Sequence, residues 1–102
     1  MNTANKIKKQ LTGFWENKPI KRAYLFGSVA REEFTNDSDI DILVELDNSK
    51  IIGMIEYIKI IDALEDILKK KIDLITTDGL SPYLKPSIDK DKLLIYESKF
   101  RG

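Results

Sequence analysis

Three features of the 102-residue sequence predict a small α/β (α+β) domain, one β-sheet covered by helices. Four short runs rich in β-branched and aromatic residues read as strands: residues 21–26 (KRAYLF), 39–45 (DIDILVE), Ile72–Thr76 (IDLIT) and Leu93–Glu97 (LLIYE). Between the second and third lies the longest helical pattern of the chain. The length then allows one core, so residues 1–102 are read as a single domain, without internal repeat, low-complexity segment or linker.

The chain opens on a polar, lysine-rich segment. Ile7, Leu11, Phe14 and Trp15 lie close to one helical face, which predicts a short amphipathic helix within residues 1–17 that ends before Pro19. Trp15 is expected to pack on the core, as large aromatics mostly do. After the first strand, Gly27 closes the run and Ser28 is a natural N-cap for a brief helix over 29–34, whose first amides would face back toward the turn. Residues 35–38 (TNDS) form a turn cluster.

In the second strand Ile40, Ile42 and Val44 share one face, and Asp39, Asp41, Leu43 and Glu45 the other. Asp47, Asn48 and Ser49 offer a turn and cap for the long helix. Its covered face is expected to hold Met54, Tyr57, Ile58, Ile61, Leu64 and Leu68, widened by Ile60 and Ile67. Glu65 with Lys69 and Asp66 with Lys70 are i, i+4 pairs of the supporting orientation, and Lys69 to Lys71 suit a helix C-terminus. Residues 78–92 read as a turn-rich connection in which Pro82 and Pro86 favour helix starts. The tail after the last strand is expected to fray.

Composition narrows the chemistry. Lys plus Arg equals Asp plus Glu, seventeen each, which argues against holding duplex DNA by phosphate neutralisation. With neither Cys nor His, disulfides, thiolate sites, imidazole bases and most zinc sites are excluded, leaving carboxylates, hydroxyls, Lys, Arg or a bound hard cation. No stretch approaches the apolar length needed to cross a bilayer, so a soluble, cytoplasmic protein without membrane partners is expected.

Two carboxylates on one strand face, with α-carbons about 7 Å apart, repel unless a cation sits between them. Oxygen-only ligands suit magnesium, which binds through one or two carboxylates plus substrate phosphates. The plain alternative for Asp39 and Asp41 is the solvated face of an edge strand. A Gly-Ser turn that opens toward an anion favours the metal, and Asp73, a lone acid in the apolar third strand, is a candidate third carboxylate.

Together these residues resemble a minimal nucleotidyltransferase of the DNA polymerase beta superfamily, of the type found as antitoxins. The family pattern is a Gly-Ser, a short helix often bearing Ala-Arg, an Asp-x-Asp on the next strand and a further acid on a later one. Here it reads Gly27, Ser28, Ala30, Arg31, then Ser38, Asp39, Asp41, and Asp73. The resemblance spans roughly 21–97 and implies a small mixed sheet with helices packed on it. It implies that Asp39, Asp41 and Asp73 form the catalytic magnesium site, Asp73 helping to deprotonate the attacking hydroxyl. Gly27 and Ser28 would hold the distal phosphates, and Ser38 would belong to the nucleotide site. Arg31 is either a phosphate or partner contact or an exposed helix residue. The chain departs from the commonest pattern at Val29 and at Glu32, where the family often has a polar or basic residue and a glycine.

Larger members of the superfamily carry domains that grip a template or a drug, and none is expected within these 102 residues. Minimal members resemble antitoxins whose partner is a helical HEPN-type ribonuclease, which implies AMP transfer from ATP to a tyrosine of that toxin. Two other readings stand beside it: a stoichiometric binder that neutralises its partner without chemistry, and transfer to a small molecule.

Overall fold

The computed structural model describes residues 3–33, 35, 37–47, 52–79 and 81–98. In order these give α1 (Thr3–Gln10), β1 (Ile20–Phe26), β2 (Ile40–Leu46), α2 (Met54–Leu68), β3 (Ile72–Thr76), α3 (Lys85–Asp91) and β4 (Leu93–Glu97), with a 3-10 turn at Thr77–Gly79. The strands form one sheet in the order β3-β2-β1-β4. β1 is antiparallel to β2 and β4, and β2 is parallel to β3, so the sheet is mixed. Parallel neighbours need a long crossover, and α2 supplies it.

The two faces of the sheet have separate cores. On one face Leu25, Ile40, Ile42, Val44 and Ile72 pack with Ile7, Leu11 and Trp15 and with Ile60, Leu64 and Leu68 of α2. On the other, Phe26, Leu43 and Ile88 make a smaller cluster joined by Tyr24 and Ile75. The alternation read in β2 is therefore real, but its second face is not merely solvated. Leu43 is 1 % exposed and lies under α3.

α1 is shorter than its apolar spacing predicts. It ends at Gln10, and Gly13 takes a positive φ of 81°, which stops a right-handed helix. Leu11 and Trp15 still reach the core from the turns that follow. Trp15 is 2 % exposed, edge-on to Phe14 and stacked on Tyr96 at 6.1 Å between ring centres. Its Nε1 is buried and finds no acceptor among the described residues.

α2 covers the sheet with a face rotated from the one expected. Ile60, Leu64 and Leu68 are buried, whereas Met54 and Ile58 are exposed, as is Ile55. The predicted cap residues Asn48 and Ser49 lie outside the described residues. Gly53, in an extended conformation, occupies the cap position and offers no side-chain bond. At the other end Glu65 leaves its expected partner Lys69, which pairs with Asp66 instead, and accepts the Ile72 amide at 3.1 Å. The Tyr57 hydroxyl donates to the Leu74 carbonyl. Both bonds run from α2 to β3, and the Ile40 amide donates to Lys71 O at 2.9 Å. The register of β3 on β2 is thus held from the helix as well as along the ladder.

Trp15 carries the first prediction. Trp15→Ala is expected to cost about 3–5 kcal/mol, measured by urea unfolding followed by circular dichroism. Trp15→Phe, which removes the unpartnered N–H while keeping a ring, is expected to cost less than half of that.

Candidate functional site

Parallel pairing of β2 and β3 sets Asp41 directly beside Asp73, with Ile40 opposite Ile72 and Ile42 opposite Leu74. The apolar neighbours fill the core, so the two acids necessarily emerge on the opposite face. There they line a cleft of about 330 Å³. Phe26, Gly27 and Ile75 belong to its sheet side and Arg31 to the loop after β1. Leu84, Ser87, Ile88 and Asp91 come from α3 and the residue before it.

Asp41 is half-buried and Asp73 exposed. Burial first, and then the carboxylates of Asp73 and Asp39, push the Asp41 carboxyl up to about 6, against a smaller opposing pull from Arg31. Hydrogen bonding with Asp73 adds a last, smaller push in the same direction. Burial and the same Asp73 carboxylate hold the Tyr57 phenol above its usual range. Asp39 is exposed, just before the start of β2, and acts on Asp41 through its charge. Among the described residues no three acids are gathered into a ready metal-ligand group. The arrangement is a close pair with a third acid two residues away.

Gly27 fits this pair for a reason the sequence hides. Its φ is 71°, and a Cβ added there would overlap Asp41 Oδ2. The Asp41 carboxylate fills the space that a side chain at this position would take. The loop beyond is not the predicted helix. It is a series of turns in which the Arg31 amide reaches Gly27 O at 3.1 Å and the Glu33 amide reaches Ser28 O at 2.8 Å. Ser28 therefore caps no helix, and Phe34, the expected helix end, lies outside the described residues. Glu32 takes a φ of 61°, so the position at which the family often has glycine does require a left-handed backbone here.

Arg31 is the cation of the cleft wall, its Nε on Glu33 at 2.9 Å and its Nη1 on Asp91 of α3 at 3.2 Å. Ser38 is engaged elsewhere: its Oγ accepts the Thr35 amide at 3.1 Å and closes the turn into β2. The structure thus brings Gly27, Arg31, Asp41 and Asp73 to one cleft and leaves Ser28, Ser38 and Asp39 off its lining. Asp91 was not anticipated. Its signal was present, since 84, 87, 88 and 91 follow a helical spacing with Pro86 in the first turn.

A family model described as polymerase beta, nucleotidyltransferase, matches residues 5–101. The chain belongs to this family. Within the polymerase beta nucleotidyltransferases it is 49 % identical, over 78 residues and 76 % of each chain, to a Methanocaldococcus jannaschii protein provisionally named a protein adenylyltransferase. Among solved structures it resembles one described as a minimal nucleotidyltransferase, with 26 % identity, a TM-score of 0.74, and coverage of 91 % of this chain and 95 % of that one. A second shares the fold at 23 % identity and a TM-score of 0.62, covering 93 % of this chain and 70 % of that one. It is a tri-AMPylated Shewanella oneidensis HEPN toxin in complex with an MNT antitoxin. The mixed sheet with packed helices is the fold of these neighbours, and the chain is a nucleotidyltransferase.

Two predictions follow from the crowding around Asp41. Its folded value lies above the ordinary 3.8, so the folded protein keeps this proton between pH 3.8 and about 6 while the unfolded chain has lost it. The stability tied to it is present below pH 3.8 and is lost as pH rises through about 6. In metal-free protein, Asp41→Asn is therefore expected to raise stability at pH 7.5 by about 1 kcal/mol, after allowance for solvent screening of a half-exposed group, with no gain at pH 4. Thermal melts across that range read it directly. Gly27→Ala must both strain the backbone and displace the Asp41 carboxylate, and is expected to lose about 1–3 kcal/mol in the same melts.

Proposed function

We propose that this chain is a magnesium-dependent protein adenylyltransferase that moves AMP from ATP to a hydroxyl, a tyrosine, of a HEPN-type toxin, and so acts as its antitoxin. The observation that carries the reading is Asp41 beside Asp73 in a cleft bordered by Gly27 and Arg31. The relative named a protein adenylyltransferase and the AMPylated toxin complex of the same fold support the acceptor class. The apolar side chains of Met54, Ile55 and Ile58, exposed on α2, are surface of the kind protein partners cover. Dependence on ATP fits a cytoplasmic site of action.

The residues present fit a hard cation. All donors are carboxylate oxygens, and a pair in which burial, and then the neighbouring carboxylates, push Asp41 up to about 6 is stabilised by a divalent ion in place of that proton. Asp39, Asp41 and Asp73 would hold magnesium. Bound there, magnesium would neutralise charge on the triphosphate and steady the attacking and leaving oxygens. Gly27 supplies a backbone that leaves the Asp41 carboxylate in place. Arg31 offers the guanidinium for a phosphate oxygen, and Ser28 and Ser38 shape the loops on either side. In the transfer, the acceptor oxygen bonds to the α-phosphorus, the bond from that phosphorus to the bridging oxygen breaks, and pyrophosphate leaves. Asp73, exposed at the cleft, takes the acceptor's proton.

The test is incubation with magnesium and ATP labelled on the α-phosphate, with and without the product of the adjacent gene, followed by intact-protein mass. One or more AMP groups on the partner are expected, with Asp41→Asn slower by at least about 100-fold. The exposed apolar face of α2 keeps a second reading in view, a stoichiometric binder. That reading wins if Asp39→Ala with Asp41→Ala still protects cells while partner binding is intact and no AMP is gained. Transfer to a small molecule would show as label passing from ATP to an added hydroxyl-bearing compound while neither protein gains mass.

A further inference from the structure

Asp91 stands outside the motif, yet it is the residue by which α3 meets the loop after β1. Its side chain is 23 % exposed against 44 % for Arg31, so the carboxylate is the more enclosed partner of the 3.2 Å pair. α3 is seven residues long and buries a single side chain, Ile88, against Phe26 and Leu43. Its other anchors nearby are the Arg31–Asp91 pair and the Lys92 ammonium, 4.6 Å from the Tyr24 ring centre. The guanidinium is gripped at two edges by two elements, Nε by Glu33 of its own loop and Nη1 by Asp91. The Glu33 pair spans two residues of one exposed loop and cannot fix the side chain relative to the sheet. The Asp91 pair can.

We propose that Asp91 is a positioning residue for nucleotide binding, fixing Arg31 across the cleft so that its guanidinium meets the triphosphate. The inference rests on the reading of Arg31 as a phosphate contact. Arginine has a long, flexible stem, and a planar fork binds phosphate well only when its orientation is set beforehand. Left loose, Arg31 has Asp41 and Asp73 lining the same cleft as competing anions, and pairing with them would both withdraw it from phosphate and occupy the acids. A carboxylate near a triphosphate also repels it, but Asp91 spends its charge on Arg31 at contact distance, so its net field on the ligand is small beside its effect on orientation.

The experiment is calorimetric titration of the full chain, in magnesium, with AMP-PNP and separately with adenosine. The variants are Arg31→Gln, Asp91→Asn, Asp91→Glu and the double variant Arg31→Gln with Asp91→Asn. Asp91→Asn is expected to weaken AMP-PNP about tenfold, as loss of an orienting outer partner does, while adenosine binding changes less than about twofold. Asp91→Glu should recover most of the loss, and Asp91→Asn should add nothing once Arg31 is Gln. Equal weakening of AMP-PNP and adenosine would mean that α3 merely walls the cleft, and would overturn the proposal. So would additive losses in the double variant, or tighter AMP-PNP binding by Asp91→Asn. If Arg31→Gln itself leaves AMP-PNP binding unchanged, the phosphate role of Arg31 fails and this inference with it. If Arg31→Gln weakens binding and Asp91→Asn does not, only the role of Asp91 fails.

Discussion

Two carboxylates held side by side on neighbouring parallel strands repel each other, and much of this molecule serves to keep them there. The register that pairs Asp41 with Asp73 is fixed from several directions: the ladder itself, the Glu65 carboxylate on the Ile72 amide, and the Tyr57 hydroxyl on the Leu74 carbonyl. A slip of β3 by one residue would turn Asp73 into the core and its apolar neighbours out, so the large cluster on the far face opposes it. The hydrophobic effect thereby holds an arrangement that electrostatics alone would dismantle.

The sheet divides its labour between its faces. One face, covered by α1, the turns after it and α2, buries most of the large side chains and supplies stability. The other has only Phe26, Leu43 and Ile88 as a small floor, and on that floor the cleft is built. Arg22 extends the same logic to the far end of the sheet. It joins Glu45 of β2 and Glu97 of β4 at 3.0 and 2.7 Å, bracing β1 between its neighbours where both of its pairings shift register. The pairs are partly exposed, so their use is geometric more than energetic.

Much of this was legible in the sequence because it is local. Strand limits fall within a residue of those expected, since β-branched runs and their punctuation are read without knowing what lies across the sheet. The acids of β2 and β3 could be named as neighbours, but which residues stand opposite each other is a long-range fact. Other misreadings have the same origin. Leu11 and Trp15 keep a helical spacing although Gly13 has already ended the helix, because a burial pattern records which side chains point inward and not the backbone that brings them there. Met54 and Ile58 look like core because α2 is apolar around much of its circumference, and only its docking angle decides which flank is covered. That the missing Cβ of Gly27 makes room for the Asp41 carboxylate is likewise visible only once β2 is seen beside β1. Asp91 lay hidden in a proline-marked connection whose helical face has meaning only once Arg31 is seen across from it.

Trp15, the sole tryptophan of the sequence, is enclosed on the face of the sheet that the cleft does not use. Its indole stacks on Tyr96 of β4 and touches Phe14, remote from any group that a nucleotide would meet. The protein therefore carries a built-in optical reporter whose emission follows the docking of the N-terminal segment on the sheet and is blind to occupancy of the cleft. Unfolding can thus be followed by intrinsic emission in the presence of a nucleotide, without an attached dye and without a contribution from the ligand site.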